Sequence, residues 1–314
     1  MGRMWRVAAA GWLSISGVGA AAAEPFPPTS PEFLTLEENH LINTSPPAAP
    51  ALASVTQAEA AALLRAVAAE KIENRYVLGS CEDRAHYIAL LAQKAGLPVA
   101  KIWAVAPARY TLLSREMLKV KDPIGIVDHV AWGHHVAPVL RVDLGGGEVR
   151  TLVLDVALDA TRYIPLKEWT GGLGTPQAVF FFTGADQWLF NSLGPDQPVF
   201  NNLDAKPPMS LSIPHWFPNL LTGDFLVYQP ARHDPLIARG MAQNDLAMHV
   251  FTRLQNHPET ERAALAAAIR SEDGLDSLGD AGEVPGVRPT TKQALERLFG
   301  ERRDHWLNRL ATLH

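Results

Sequence analysis

The chain has a single cysteine, Cys81, so it cannot close an internal disulfide. It also lacks an excess of positive charge. Its 28 Lys and Arg stand against 33 Asp and Glu, for a net charge of −5. A mildly acidic protein without a basic stripe is a poor partner for nucleic acid. No run beyond residue 23 is long and apolar enough to cross a bilayer, and no internal repeat is visible.

The first 23 residues have the composition of an export signal. Arg3 and Arg6 precede a mostly apolar stretch from Val7 to Val18, and Ala21-Ala22-Ala23 supplies the small residues of a cleavage site. Removing residues 1–23 removes two arginines and takes the charge from −5 to −7. The expectation is a periplasmic or secreted protein with no stable membrane insertion after the signal is removed. In such a compartment a lone thiol has no structural partner, which directs attention to its reactivity.

Hydrophobic content of 47% and charged content of 19% fit a folded globular protein. Residues 24–53 carry Pro25, Pro27, Pro28, Pro31, Pro46, Pro47 and Pro50 and read as a linker or pro-segment. Thr56-Gln57-Ala58-Glu59 is a capping box, and Ala61, Leu64, Val67 and Ala68 follow it at helical spacing. A second helix is predicted from Ser80, capped by Ser80 with Asp83 and stopped near Gly96, which puts Cys81 at its first position. Val99–Val105 reads as a strand, and residues 107–131 as a short helix with loops.

His134–Val142 and Glu148–Leu158 form a predicted hairpin across Gly145-Gly146-Gly147, and Ala178–Phe182 a further strand of the same sheet. The stretch 184–235 shows little regular pattern. Helices are predicted over 235–255, 258–270 and 290–312, the last from a capping box at Thr290, with a loop over 274–289. The expected organisation is signal 1–23, Pro/Ala-rich segment 24–53, catalytic domain 54–234 and helical extension 235–314. The predicted fold class is α+β: an antiparallel sheet packed on the helix that carries the nucleophilic cysteine, with additional C-terminal helices.

A helix N-terminus lowers the pKa of a thiol, whereas Glu82 and Asp83 oppose its ionisation. A cationic imidazole is therefore needed, and His135 is the candidate, with His129 and His134 as alternatives. Leu152-Val153-Leu154-Asp155-Val156 is an apolar strand interrupted by one carboxylate, which is costly to bury unpaired. A hairpin symmetric about Gly145 sets His135 opposite Asp155 on one face, whereas alternation turns His134 to the other. The roles that follow are attack by Cys81, proton exchange by His135 and orientation of the imidazole by Asp155. Backbone N–H groups at the start of the Cys81 helix are candidates for binding an oxyanion. Asp128, His129, His134, His135 and Cys81 are metal-ligating types, but their spacing matches no compact zinc pattern. No metal or organic cofactor is expected.

Three segments stand in order: Cys81-x-x-Arg84-Ala85-His86 on a helix, Trp132-x-x-His135-Val136-Ala137 on a strand, and Leu154-Asp155 on the next. Together they resemble the protein-glutaminase branch of the transglutaminase-like cysteine enzymes, which implies a papain/transglutaminase-like core. Ala95-Gly96-Leu97-Pro98 is similar to the helix-to-strand passage of those cores. The resemblance spans about residues 75–170, and no counterpart is evident for the helical tail. It implies a Cys81-His135-Asp155 triad acting on accessible glutamine in proteins or peptides, with release of ammonia. It also implies that residues 24–53 are a pro-segment covering the site. The alternatives are a transglutaminase, a cysteine peptidase with the same triad, and a non-catalytic secreted binding module.

Overall fold

The computed structural model describes residues 52–106, 117–173, 178–190 and 225–314. The expected signal, the Pro/Ala-rich segment up to residue 51 and most of the 184–235 stretch lie outside the described residues.

Strand β1 (Ser54–Thr56) runs directly into helix α1 (Gln57–Glu70). The capping box forms as expected. Thr56 Oγ1 accepts from the Glu59 N–H at 3.2 Å, and the Glu59 carboxylate accepts from the Thr56 N–H at 2.7 Å. Its buried residues are Ala60, Leu63 and Val67, a face turned by about one position from the expected one. The two alanine-rich faces are similarly apolar, and the pairing of Ser54 with Arg141 of the sheet selects between them.

Helix α2 (Cys81–Lys94) begins at the cysteine, but Ser80 does not cap it with its side chain. Ser80 takes a left-handed backbone at φ 57° and donates its hydroxyl to the Gly240 carbonyl at 3.1 Å. The chain leaves the helix through Gly96 at φ 71°, a conformation that favours glycine.

The remaining elements of the core are β2 (Ala100–Val105), β3 (Leu118–Lys121), β4 (His129–Trp132), β5 (His134–Gly145), β6 (Glu148–Val153), β7 (Ile164–Pro165), α3 (Leu166–Gly172) and β8 (Val179–Gly184). The main sheet runs β7-β6-β5-β2-β8, with β1 parallel to β5 beyond the end of β2. β3 and β4 pair in a separate small hairpin within the stretch 107–131 expected to hold a short helix with loops, of which residues 107–116 lie outside the described residues. β9 (Gln187–Phe190) pairs with β10 (Phe225–Val227).

The glycine turn shifts the β5–β6 register. Val139 pairs with Val153 rather than with Thr151, and the ladder breaks regularity between Asp143 and Gly145. β6 then ends at Val153, so the first residues of β5 have no partner on that side. Its last link is Leu154 N–H to the Pro138 carbonyl at 2.9 Å. Asp155 therefore lies beyond the ladder and not directly opposite His135 within it. A shift of two residues preserves which sheet face each side chain occupies, whereas a shift of one would reverse it.

Four helices follow: α4 (Pro230–Arg253), α5 (Glu259–Ala268), α6 (Glu272–Gly279) and α7 (Pro289–Ala311). α4 starts earlier than expected, with Pro230 in its first turn, where a missing N–H carries no penalty. α6 occupies part of the expected 274–289 loop because Ser271 caps it, accepting from the Gly274 N–H at 3.1 Å. α7 begins at Pro289 without a side-chain cap, so the Thr290 box does not form.

The sheet has two unlike faces. One carries Leu140, Val142, Leu152 and Leu154 into a core shared with α1, α2 and the C-terminal helices. The other packs Ile102, Ala137, Val139 and Val153 with Trp169 of α3 and Phe180 and Phe182 of β8. The architecture is α+β, an antiparallel sheet on the helix that carries Cys81, with added C-terminal helices.

Candidate active site

Alternation along β2 and β5 assigns the side chains around Cys81. Lys101 and Trp103 lie on the helix face of the sheet, as the 2.6 Å contact of Lys101 Nζ with His86 Nδ1 on α2 shows. Trp103 is registered with Val136, so Val136 and His134 share that face. His134 stacks on Trp103 at 5.9 Å between ring centroids, and its Nε2 lies 3.7 Å from Cys81 Sγ. The expectation that His134 turns away from the cysteine is thus corrected. It rested on pairing Asp155 with His135, and it left undetermined which sheet face meets α2.

His135 occupies the opposite face. Its ring stacks on Trp132 at 4.3 Å and lies 5.9 Å from the Trp169 ring. Its Nε2 is 2.7 Å from Asp155 Oδ2, and that same oxygen accepts the Trp169 indole N–H at 2.8 Å. Asp155 Oδ1 accepts from the Ala157 N–H at 3.0 Å. The structure therefore brings His135 and Asp155 together and hydrogen-bonds neither to Cys81. His135 Nδ1 is buried and has no partner among the described residues.

A cavity of about 10 Å³ joins the two groups where β6 leaves β5, and it is lined by Cys81, Arg84, His135, Val136, Asp155 and Val156. That space is about the minimum for one water and far too small for a glutamine side chain. Arg84 faces it from α2, one turn beyond Cys81. Its Nη1 donates to the Tyr76 carbonyl at 3.1 Å, while its Nη2 is buried without a partner among the described residues.

The electrostatics hold the thiol in its protonated form. Burial pushes the Cys81 pKa well above the ordinary value, and the neighbouring Glu82 carboxylate adds to the rise. The sulfur donates to Glu82 Oε2 at 3.3 Å. Burial disfavours the Glu82 charge, but the hydrogen bond and attraction of His134 outweigh it and bring its pKa to about 2. Asp83 moves the other way. Burial, with the Glu82 charge behind it, raises its pKa well above the carboxylate range. Its Oδ1 accepts the Trp188 indole N–H at 3.1 Å. Burial also raises the pKa of Asp155, but the His135 imidazole and the hydrogen bonds overcome it, so its carboxylate titrates lower than usual.

The sequence places Glu82 beside the thiol as an opposing charge and keeps His134 as an alternative to His135, and the structure puts both against the sulfur. Sequence reasoning missed Trp169, the second donor to Asp155. Glu82 and His134 carry a signal of residue type alone. Trp169 carries none, because its approach depends on how α3 folds back over the sheet.

Solved structures give partial likenesses. A crystal structure of protein-glutaminase is similar over 44% of this chain and 77% of its own, at 18% identity and a TM-score of 0.37. A solution structure of protein-glutaminase from Chryseobacterium proteolyticum is similar over 44% and 76%, at 16% identity and a TM-score of 0.36. A crystal structure of pro-protein-glutaminase is similar over 51% and 59%, at 18% identity and a TM-score of 0.34. No curated protein matches. The family model described as glutaminase matches residues 53–173, and over that segment, which holds Cys81, His134, His135 and Asp155, this chain is similar to the glutaminase family.

Proposed function

We propose that this protein is an exported cysteine-dependent amidohydrolase that deamidates glutamine side chains of proteins or peptides. Cys81 is the nucleophile, His135 carries the proton and Asp155 orients the imidazole. One observation supports this assignment above others. The Asp155 carboxylate occupies His135 Nε2 at 2.7 Å, leaving a buried, unpartnered Nδ1 on a histidine that lines the same cavity as Cys81. A carboxylate that fixes one ring nitrogen sets the tautomer and orientation of the other, which is what a general base requires.

In the first step His135 takes the Cys81 proton, and the thiolate adds to the γ-carboxamide carbon. The backbone N–H groups at the start of α2 face the developing oxyanion. The imidazolium gives its proton to the amide nitrogen as the carbon–nitrogen bond breaks, and ammonia departs. Water, losing a proton to the same imidazole, then attacks the thioester. The carbon–sulfur bond breaks, glutamate leaves and the thiol regains its proton. Because the thiol rests protonated and the cavity is small, the cycle requires the gap between β5 and residues 154–156 to widen as substrate enters.

The test is ammonia release from casein by chains starting at Glu24 and near Ser54, beside Cys81→Ala and His135→Ala. Ammonia, with glutamines heavier by about one dalton and both substitutions inactive, supports the proposal. Higher activity of the shorter chain makes residues 24–53 inhibitory. Cross-linked casein signals a transglutaminase and cleaved casein a peptidase. Casein left without ammonia release, cross-links or cleavage by either chain favours a binding module. Full activity in His135→Ala, with loss in His134→Ala, moves the proton transfer to His134.

A further inference from the structure

Glu82 is out of place in a site built only to make a thiolate. It sits one residue after the nucleophile, with its carboxylate 3.3 Å from the sulfur, where a negative group disfavours a free thiolate. His134 completes a compact group with these two. Cys81 Sγ lies 3.3 Å from Glu82 Oε2 and 3.7 Å from His134 Nε2, and His134 Nε2 lies 3.7 Å from Glu82 Oε2. Zinc bonds of about 2.3 Å to sulfur and about 2.0–2.2 Å to nitrogen and oxygen place the ligands of a tetrahedral ion roughly 3.3–3.6 Å apart. The three observed separations, 3.3, 3.7 and 3.7 Å, come within a few tenths of an ångström of that triangle.

We propose that Cys81, Glu82 and His134 bind a thiophilic divalent cation, Zn²⁺ by the chemistry of the ligands, and that the bound ion keeps Cys81 from reacting. Thiolate, imidazole and carboxylate together suit zinc, whereas the hard cations Mg²⁺ and Ca²⁺ prefer all-oxygen sites. The Trp103 stack orients the His134 ring, and both His134 and Glu82 are largely buried, so the ligands are held in advance. Binding breaks the Sγ–H bond, forms an Sγ–metal bond and releases one proton to solvent, so affinity rises with pH. The dication also reverses the electrostatics, since the Glu82 charge that opposes a free thiolate becomes a ligand. His135 and Asp155 take no part in holding the ion.

Binding stands on the geometry alone; the inhibitory consequence rests on the reading of Cys81 as the nucleophile. The experiment is titration of the full chain with Co²⁺, a spectroscopic substitute for zinc, followed by competition with Zn²⁺. One equivalent is expected to produce a thiolate-to-cobalt charge-transfer band and the visible bands of a tetrahedral ion. Both are absent in Cys81→Ala. Glu82→Gln and His134→Ala weaken binding at least about tenfold, as expected for loss of a ligand, while His135→Ala binds like the parent chain. Zn²⁺, but not Mg²⁺, slows alkylation of Cys81 by iodoacetamide, and EDTA restores it. Glu82→Gln is nearly isosteric and guards against a folding defect in His134→Ala, with thermal melts as the control. No charge-transfer band, or unchanged affinity in both Glu82→Gln and His134→Ala, overturns the site. A cobalt band in a protein that releases no ammonia from casein when metal-free, with residues 24–53 present or removed, sustains the site and removes the glutaminase reading. Ammonia release that Zn²⁺ leaves untouched overturns the inhibition.

Discussion

Asp155 Oδ2 is shared by two donors, His135 Nε2 at 2.7 Å and the Trp169 indole N–H at 2.8 Å. The carboxylate is buried, at 4% exposure, so each bond replaces solvation that it lost on folding. The pair thus ties α3 to the β5 histidine across a sheet whose ladder has already ended.

Trp169→Phe keeps most of the ring and deletes the indole donor. A loss of about 1–3 kcal/mol in unfolding free energy is expected from denaturant melts. Under the proposed triad, Asp155→Asn is expected to lower ammonia release by about 10²–10⁴-fold, since it removes the carboxylate charge that fixes the His135 tautomer and stabilises its imidazolium. The pH dependence follows from the lowered pKa of Asp155. Its contribution is present above the unfolded carboxylate pKa and is lost as pH falls through the lower folded value. Asp155→Asn is therefore destabilised relative to the parent at neutral pH, and the gap narrows in acid.

The Cys81 thiol is expected to alkylate slowly at neutral pH, because burial and then the Glu82 charge hold it protonated. Glu82→Gln removes that charge and keeps the shape. Its iodoacetamide rate profile is expected to move to lower pH, with a rate at pH 7 at least several-fold higher. An unchanged profile would show that the Glu82 charge has no hold on the sulfur.

Gly240 is a point where the C-terminal helices press on α2. A Cβ there would stand 1.8 Å from Asp83 Oδ2 and 3.0 Å from Ser80 Oγ. Gly240→Ala, although favoured by helix propensity, is expected to destabilise by about 1–3 kcal/mol through overpacking. It is also expected to reduce activity more than a remote substitution of equal stability cost, since it displaces the residues flanking Cys81. Thermal melts paired with ammonia release check this.

Glu272, at the start of α6, reaches the Gly79–Ser80 lead-in to Cys81. A Cβ on Gly79 would lie 2.7 Å from its Oε1. Burial, with Glu82 and then Asp276 behind it, raises the Glu272 pKa to about 7. A carboxyl raised in this way stabilises the fold in acid, and that contribution is lost as pH climbs from the unfolded value through about 7. Glu272→Gln, which stays neutral, is expected to melt higher than the parent at pH 8 and with little difference at pH 5. Equal melting differences at the two pH values would refute the assignment.

The local sequence determined the parts of this protein that local forces decide. The Thr56 capping box, the start of α2 at Cys81, the Gly145–Gly147 turn and the α+β character follow from hydrogen bonding and apolar periodicity within a few residues. So does the side of β5 on which His135 meets Asp155, because a register shift of two preserves parity, although Asp155 itself lies past the end of β6. Only the tertiary structure decided which sheet face α2 covers, and hence that His134 meets the sulfur. Register itself depended on the irregular glycine turn, and the end of β6 at Val153 depended on where the chain departs toward α3. The Ser80 hydroxyl was diverted from its cap to Gly240, and Trp169 was brought onto Asp155, by packing between distant segments. Those contacts join residues whose separation along the chain carries no periodic signal, so their geometry is set by the closing of the whole core.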